Sequence, residues 1–208
     1  TDDKTLKWKS EDESIAKVDE NGKVTGVGAG TTNITVTTSN GKSATCKVTV
    51  VKQTPNVSYQ THIENIGWQG WKSNGEMSGT SGQSKRLEGI EIKLTNSLSY
   101  KGSIQYQSHI ENIGWQGWKS NGEMSGTSGQ SKRLEAIRIK LTDELAENYD
   151  VYYRVHAQEF GWLDWAKNGE SAGTAGYSYR LEAIEIKLVE KDGKAPGSTE
   201  RQYVQRYV

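Results

Sequence analysis

The sequence predicts an all-β protein in two parts. A short first unit precedes a longer module of three copies, closed by pseudo-threefold symmetry into a prism-like or alternatively trefoil-like body. Three observations predict this. Apolar residues alternate with polar ones at period two, and helical period is confined to one turn near "TDELAENY". Glycine is abundant, at 23 residues, and Asn-Gly pairs sit between alternating segments. Finally, the 27 residues from His62 to Glu88 recur letter for letter from His109 to Glu135, and more loosely 47 residues further on.

Composition narrows the function classes. Lys+Arg and Asp+Glu both number 26, so no basic surplus serves nucleic acid or anionic lipid. Only 33% of residues are hydrophobic, and bulk comes from 7 Trp and 10 Tyr rather than from the single Phe. Thin cores of aromatic and β-branched residues are expected. No apolar run approaches the roughly 20 residues of a membrane helix, so no membrane insertion is expected here. "TDDKTLKWKS" is too polar for a signal peptide. The lone Cys46 makes no internal disulfide and does not decide the compartment.

Residues 1–52 read as the first unit. Asn21-Gly22 and Asn40-Gly41 predict two hairpins, "TNITVTT" alternates around Ile34 and Val36, and "ATCKVTVV" places Cys46 among its apolar positions, where a buried thiol is expected. The Trp8 strand, "SIAKVDENGKVTGVGAGTTNITV" and the closing "CKVTV" resemble the later part of a bacterial immunoglobulin-like group 2 domain. That resemblance implies a partial Ig-like β-sandwich acting as a spacer or stalk. The family's opening strands have no counterpart, so the unit is expected to start mid-domain, with its inner face exposed.

Residues 53–56 form a linker. Residues 57–190 hold the copies, at 57–95, 104–142 and 151–189. In each, "VSYQTHI" or its equivalent sets Val57, Tyr59, Thr61 and Ile63 on one face against Ser58, Gln60 and His62. "KSNGEMSGTSGQS" is turn and loop. "RLEGIEIKL" is a second strand, read with Glu88, Ile90, Ile92 and Leu94 on one face. The small residue after Glu88 (Gly89, Ala136, Ala183) marks a bulge or a close backbone approach. One copy cannot bury a face alone, whereas three can close about an axis and remove their edges. Residues 191–208 are a linker followed by the alternating "QYVQRYV", which either begins another module or supplies a strand to this one.

Candidate sites follow from what the third copy retains. Trp68, Trp115 and Trp162 each follow a glycine and are expected in the core. Trp71, Trp118 and Trp165 adjoin the polar loop; core filling is their first reading and ligand binding their second, with Asn74, Glu76, Asn121, Glu123, Asn168 and Glu170 as the polar candidates beside them. Aromatic rings stack on sugars, and short polar side chains supply the donors and acceptors that hydroxyls need. Turn chemistry is the competing role of the loop. His62, His109 and His156 could meet as a zinc site, but each lies opposite the apolar face of its strand, and a hydrogen bond is their expected role. Arg86 and Glu88 are read as an ion pair on one face. Repeated carboxylates at Glu76 and Glu88 do not make a glycosidase pair, so no catalytic residue, metal or cofactor is expected.

"HIENIGWQGWKSNGEMSGTSGQSKRLEAIRIKL" is similar to the clostridial hydrophobic repeat with a characteristic Trp, the ChW repeat. All three copies carry the likeness through Gly-Trp, "NGE", "SGT" and "RLEAI-x-IKL". Copy three departs at "SAGTAGYSYR". The resemblance implies an extracellular or cell-surface bacterial protein, and no catalysis follows from it. It also implies multivalent binding of carbohydrate or another surface macromolecule. A protein-binding adhesin and a purely structural scaffold are the alternatives.

Overall fold

A computed structural model of the chain describes residues 5–206. The chain divides into two compact units, with the boundary between Gln53 and Thr54.

The first unit holds an antiparallel sheet of Leu6–Ser10, Gly30–Thr38 and Ser43–Val50, with Gly30–Thr38 central. A separate hairpin pairs Ala16–Val18 with Val24–Gly26. Both Asn-Gly turns form where expected. The Asp19 carboxylate accepts the N–H groups of Asn21 and Lys23, and Gly22 takes the left-handed φ of 83°. Gly41, at φ 80°, turns Thr38 back onto Lys42.

Ala16 and Ile34 are the buried apolar residues of this unit among those described. Cys46 is exposed, contrary to the expectation from alternation. Its parity is right, since it pairs with Ile34 across the sheet. The hairpin covers one part of the sheet, where Gly22 meets Trp8, Gly26 meets Val50 and Ser10 Oγ donates to Ala16 O. Most of Ser43–Val50 therefore stays exposed, and an apolar groove lined by Leu6, Trp8, Val36 and Ala44 stays open.

The second unit contains the three copies. Each is built on two long antiparallel strands: Asn56–Ile63 with Leu87–Thr95, Ile104–Ile110 with Leu134–Leu141, and Tyr149–Ala157 with Leu181–Glu190. Val57, Tyr59, Thr61 and Ile63 are all buried, as the alternation requires. Short segments then fold back on the first strand: Gly67–Trp68 and Lys72–Ser73 in copy one, with equivalents in the others. The one helix among the described residues is Asp143–Asn148, whose Leu145 joins the core.

A β-bulge lies between Leu87 and Gly89, and matching irregularities occur in the other copies. The bulge reverses the side-chain parity. Leu87 and Ile90 both face the core, while Glu88 turns outward to His62 and Arg86. Glu88 therefore does not share the face of Ile90 and Ile92, as a regular strand would have it.

Closure is made by a short finger from each copy. Ser78–Gly79 of copy one pairs with Ala183–Ile184 of copy three. Ser125–Gly126 of copy two pairs with Gly89–Ile90 of copy one, and Ala172–Gly173 of copy three with Ala136–Ile137 of copy two. Each copy gives one finger and receives one, so the ring closes on itself. The fingers need glycine. A Cβ on Gly79, Gly126 or Gly173 would strike the neighbouring copy's backbone, and φ there is 119°, 116° and 128°.

Tyr59, Tyr106 and Tyr153 belong to the core and are each fully buried. Their hydroxyls donate to the carbonyls of Glu76, Glu123 and Glu170. The turns after them cross to the next copy: Gly75 N–H donates to Ile186 at 2.7 Å, Gly122 to Ile92 at 2.7 Å and Gly169 to Ile139 at 2.6 Å.

Candidate binding sites at the tryptophans

The "NGE" turns are built by their own side chains. Asn74, Asn121 and Asn168 have positive φ, which asparagine tolerates best among residues with a side chain. Glu76 Oε2 accepts the N–H of Ser73 at 2.7 Å, Glu123 that of Ser120 at 2.8 Å, and Glu170 that of Lys167 at 2.9 Å. Asn74 Oδ1 accepts the N–H of Leu188 in copy three, and Asn168 Oδ1 that of Val151. These side chains therefore hold the turn.

Trp71 and Trp118 project from this turn and are each 39% exposed. A lysine from the second long strand sits on each ring, Lys93 Nζ at 3.9 Å from the Trp71 centroid and Lys140 Nζ at 4.2 Å from that of Trp118. Each lysine also lines a cleft at a junction between copies. The first, about 440 Å³, is lined by Lys93, Ser97, Tyr100 and Asn121; the second, about 270 Å³, by Lys140, Tyr149, Asn168 and Lys191. The structure thus brings Trp71 of copy one, through Lys93, to Asn121 of copy two, and Trp118 through Lys140 to Asn168. Lys93 and Lys140 were missed by sequence reasoning. Their signal was outward parity on the strand whose alternate residues are Ile90 and Ile92.

Trp165 is different. It is 6% exposed, because residues 191–206 run over it. Its main-chain N–H donates to Ser198 O at 2.9 Å, and Gly197 packs against its indole. The Asp164 carboxylate accepts from Ser198 Oγ and Arg201 N–H, which hold it below the usual carboxylate range. Of the two readings of "QYVQRYV", the structure shows that Tyr203–Gln205 adds a parallel strand to Ala172–Ala175.

Trp68, Trp115 and Trp162 are not core residues. Trp68 is 37% exposed, and the others are half-buried. The physical reason is register: Trp68 pairs with His62, Trp115 with His109 and Trp162 with His156, on the outer face of the sheet. Each indole meets its histidine edge-on, at 5.4–5.6 Å between centroids. Each histidine Nδ1 lies 3.1–3.2 Å from a glutamate, Glu88, Glu135 or Glu182, that also takes an arginine. The three histidines thus serve three separate networks. No cluster able to hold a metal is found among the described residues.

Residues 62–96, 109–143 and 156–190 each match the family described as clostridial hydrophobic W, and together they make up half of the chain. The chain belongs to the clostridial hydrophobic W family. Residues 1–48 match the bacterial Ig-like domain, group 2. ChW and Ig-like modules of this kind are generally non-catalytic and typical of surface or secreted bacterial proteins. An uncharacterized protein of Clostridium acetobutylicum is 50% identical over 54 residues, which are 25% of this chain and 14% of that protein. A lacto-N-biosidase of Bifidobacterium bifidum is 46% identical over 50 residues, 24% of this chain and 4% of that enzyme. The chain thus spans a small part of either relative. No solved structure matches. Among the described residues no helix is long and apolar enough to cross a membrane.

Proposed function

We propose that the ChW unit is a non-enzymatic carbohydrate-binding module displayed outside the bacterial cell, with sites at Trp71 and Trp118. The observation that carries this reading is the pairing of a 39%-exposed indole with a lysine that opens onto an asparagine-lined cleft, twice in one body. An indole face takes the C–H side of a sugar ring. The ammonium and amide beside it serve the hydroxyls or a carboxylate. The lacto-N-biosidase carrying a related 50-residue stretch acts on glycans by its name, which is consistent with this setting. Two shallow sites on one rigid ring give weak single contacts and a gain from simultaneous engagement.

A second reading has its own observation. Ile66 and Ile113 are 50% and 49% exposed, and Met77 and Met124 are 40% and 37% exposed, one of each in copies one and two. Exposed apolar side chains of that size suit a protein partner. An array spotted with glycans, cell-wall polysaccharides, mucins and deglycosylated surface proteins separates the two readings. Glycan binding that is lost in a folded Trp71→Ala/Trp118→Ala variant supports the carbohydrate module. Binding that survives deglycosylation and ignores the tryptophans supports the adhesin.

A further inference from the structure

Copy three differs from the others where residues 191–206 lie on it. In copies one and two a glutamine side chain caps the finger: Gly79 N–H donates to Gln69 Oε1 at 3.0 Å, and Gly126 N–H to Gln116 Oε1 at 2.8 Å. In copy three that glutamine is Leu163, and Gly173 N–H donates instead to the main-chain carbonyl of Gln202 at 3.0 Å. A side-chain amide has been exchanged for a peptide bond. From there the segment runs parallel to the finger, pairing Tyr203 with Gly173 and Gln205 with Ala175, and Arg206 N–H donates to Ala175 O.

Two other departures of copy three serve the same segment. Gly70 and Gly117 correspond to Asp164, whose carboxylate takes Ser198 Oγ at 2.8 Å and Arg201 N–H at 2.9 Å. Its N–H donates to Arg201 O at 3.1 Å. Ile66 and Ile113 correspond to Phe160, over which the Arg201 guanidinium lies at 5.1 Å. Val204 packs on the core. The seat itself is held from elsewhere, since Gly173 and Ala172 are paired on their other side with Ala136 and Ile137 of copy two.

We propose that copy three is a peptide-binding site, an acceptor for one extended strand. It reads Ser-x-x-Arg-x-x-Val, and its resident ligand is the chain's own Ser198–Arg206. Main-chain bonds from Asp164, Trp165, Gly173 and Ala175 supply affinity for any extended peptide. Asp164 selects a hydroxyl three residues ahead of a free N–H, and Phe160 selects a cation. In the intact chain the tether keeps the local concentration of the segment near millimolar, which excludes competitors.

The test uses the full chain, folded before it is altered. A site-specific protease sequence is inserted after Lys194, in the exposed turn, and is cut after folding. A fluorescent peptide of residues 195–206 is then titrated in, with anisotropy and Trp165 quenching as readouts. The cut protein is expected to exchange its segment and bind the labelled peptide saturably. The uncut protein should bind it at least tenfold more weakly. A peptide carrying Arg201→Pro, which lacks the N–H that Asp164 accepts, should lose at least tenfold, as should Asp164→Ala in the cut protein. Absence of saturable exchange, with circular dichroism unchanged, overturns the proposal. So does release of the segment only together with unfolding of the ring, which would make it a fixed part of the fold.

Discussion

The Tyr59 hydroxyl accepts the N–H of Ile186 at 3.2 Å, 127 residues further along the chain, while donating to Glu76 in its own copy. One oxygen thus ties copy one to copy three and fixes the turn that carries Trp71. Tyr106 and Tyr153 donate to their own turns in the same way.

Tyr59→Phe keeps the ring and removes this oxygen. Two main-chain groups then lose a partner in a buried setting, and stability is expected to fall by about 1–3 kcal/mol. Urea unfolding followed by circular dichroism measures it. An unchanged midpoint would mean that water or a shifted turn replaces the hydroxyl.

Gly126→Ala addresses the fingers. The added methyl meets the Glu88 carbonyl and the Gly89 Cα, at a φ of 116° that alanine avoids. A loss of about 2–5 kcal/mol is expected. Gly117→Ala, where nothing lies within 4 Å of the new methyl, is the control and should cost far less.

Alkali should open the ring. Burial raises Tyr59 and Tyr106 to about 12, and Tyr153 higher still. The folded state prefers the neutral phenol, so this stability is complete below pH 10 and is lost as pH rises through 12. Thermal melts across that range should show a falling Tm, with the tyrosinate absorbance of these three residues appearing only on unfolding. Early, reversible ionisation of all tyrosines without loss of Tm would contradict the buried arrangement.

Acid tests Asp150, whose side chain is fully buried. Burial alone would raise its pKa. Hydrogen bonds from Asn168, the Asp192 N–H, Lys191 and Lys167 outweigh burial and bring it to about 2. Its contribution, on the order of 2 kcal/mol, is present above the unfolded value near 3.8 and is lost as pH falls towards 2. Asp150→Asn should flatten the stability curve in that window, and an unflattened curve would remove Asp150 from the account.

Cys46 should react with a thiol reagent at the rate of an open thiol, without denaturant, because its strand is exposed. Protection until unfolding would place a cover over that face.

The strands and both Asn-Gly hairpins were legible, because period two and turn residues are local signals. The ring was legible as a need: three copies with one apolar face each must share it. What stayed hidden was set by pairing between distant residues. The parity of Glu88 depends on a bulge one residue long. The exposure of Trp68 depends on its register with His62. The meeting of Lys93 with Asn121 belongs to the junction between copies and to no single copy. Asp164 carried a local signal, a carboxylate where two glycines stood, but its partner lies 34 residues away at Ser198.

The exchange of fingers is an assembly in which every member gives and receives the same contact. Three unlinked chains could make it, and their stability would then fall with dilution. Joined in tandem, the copies meet at a concentration set by their own short connections. The body is a threefold assembly freed from mass action, its stability independent of protein concentration.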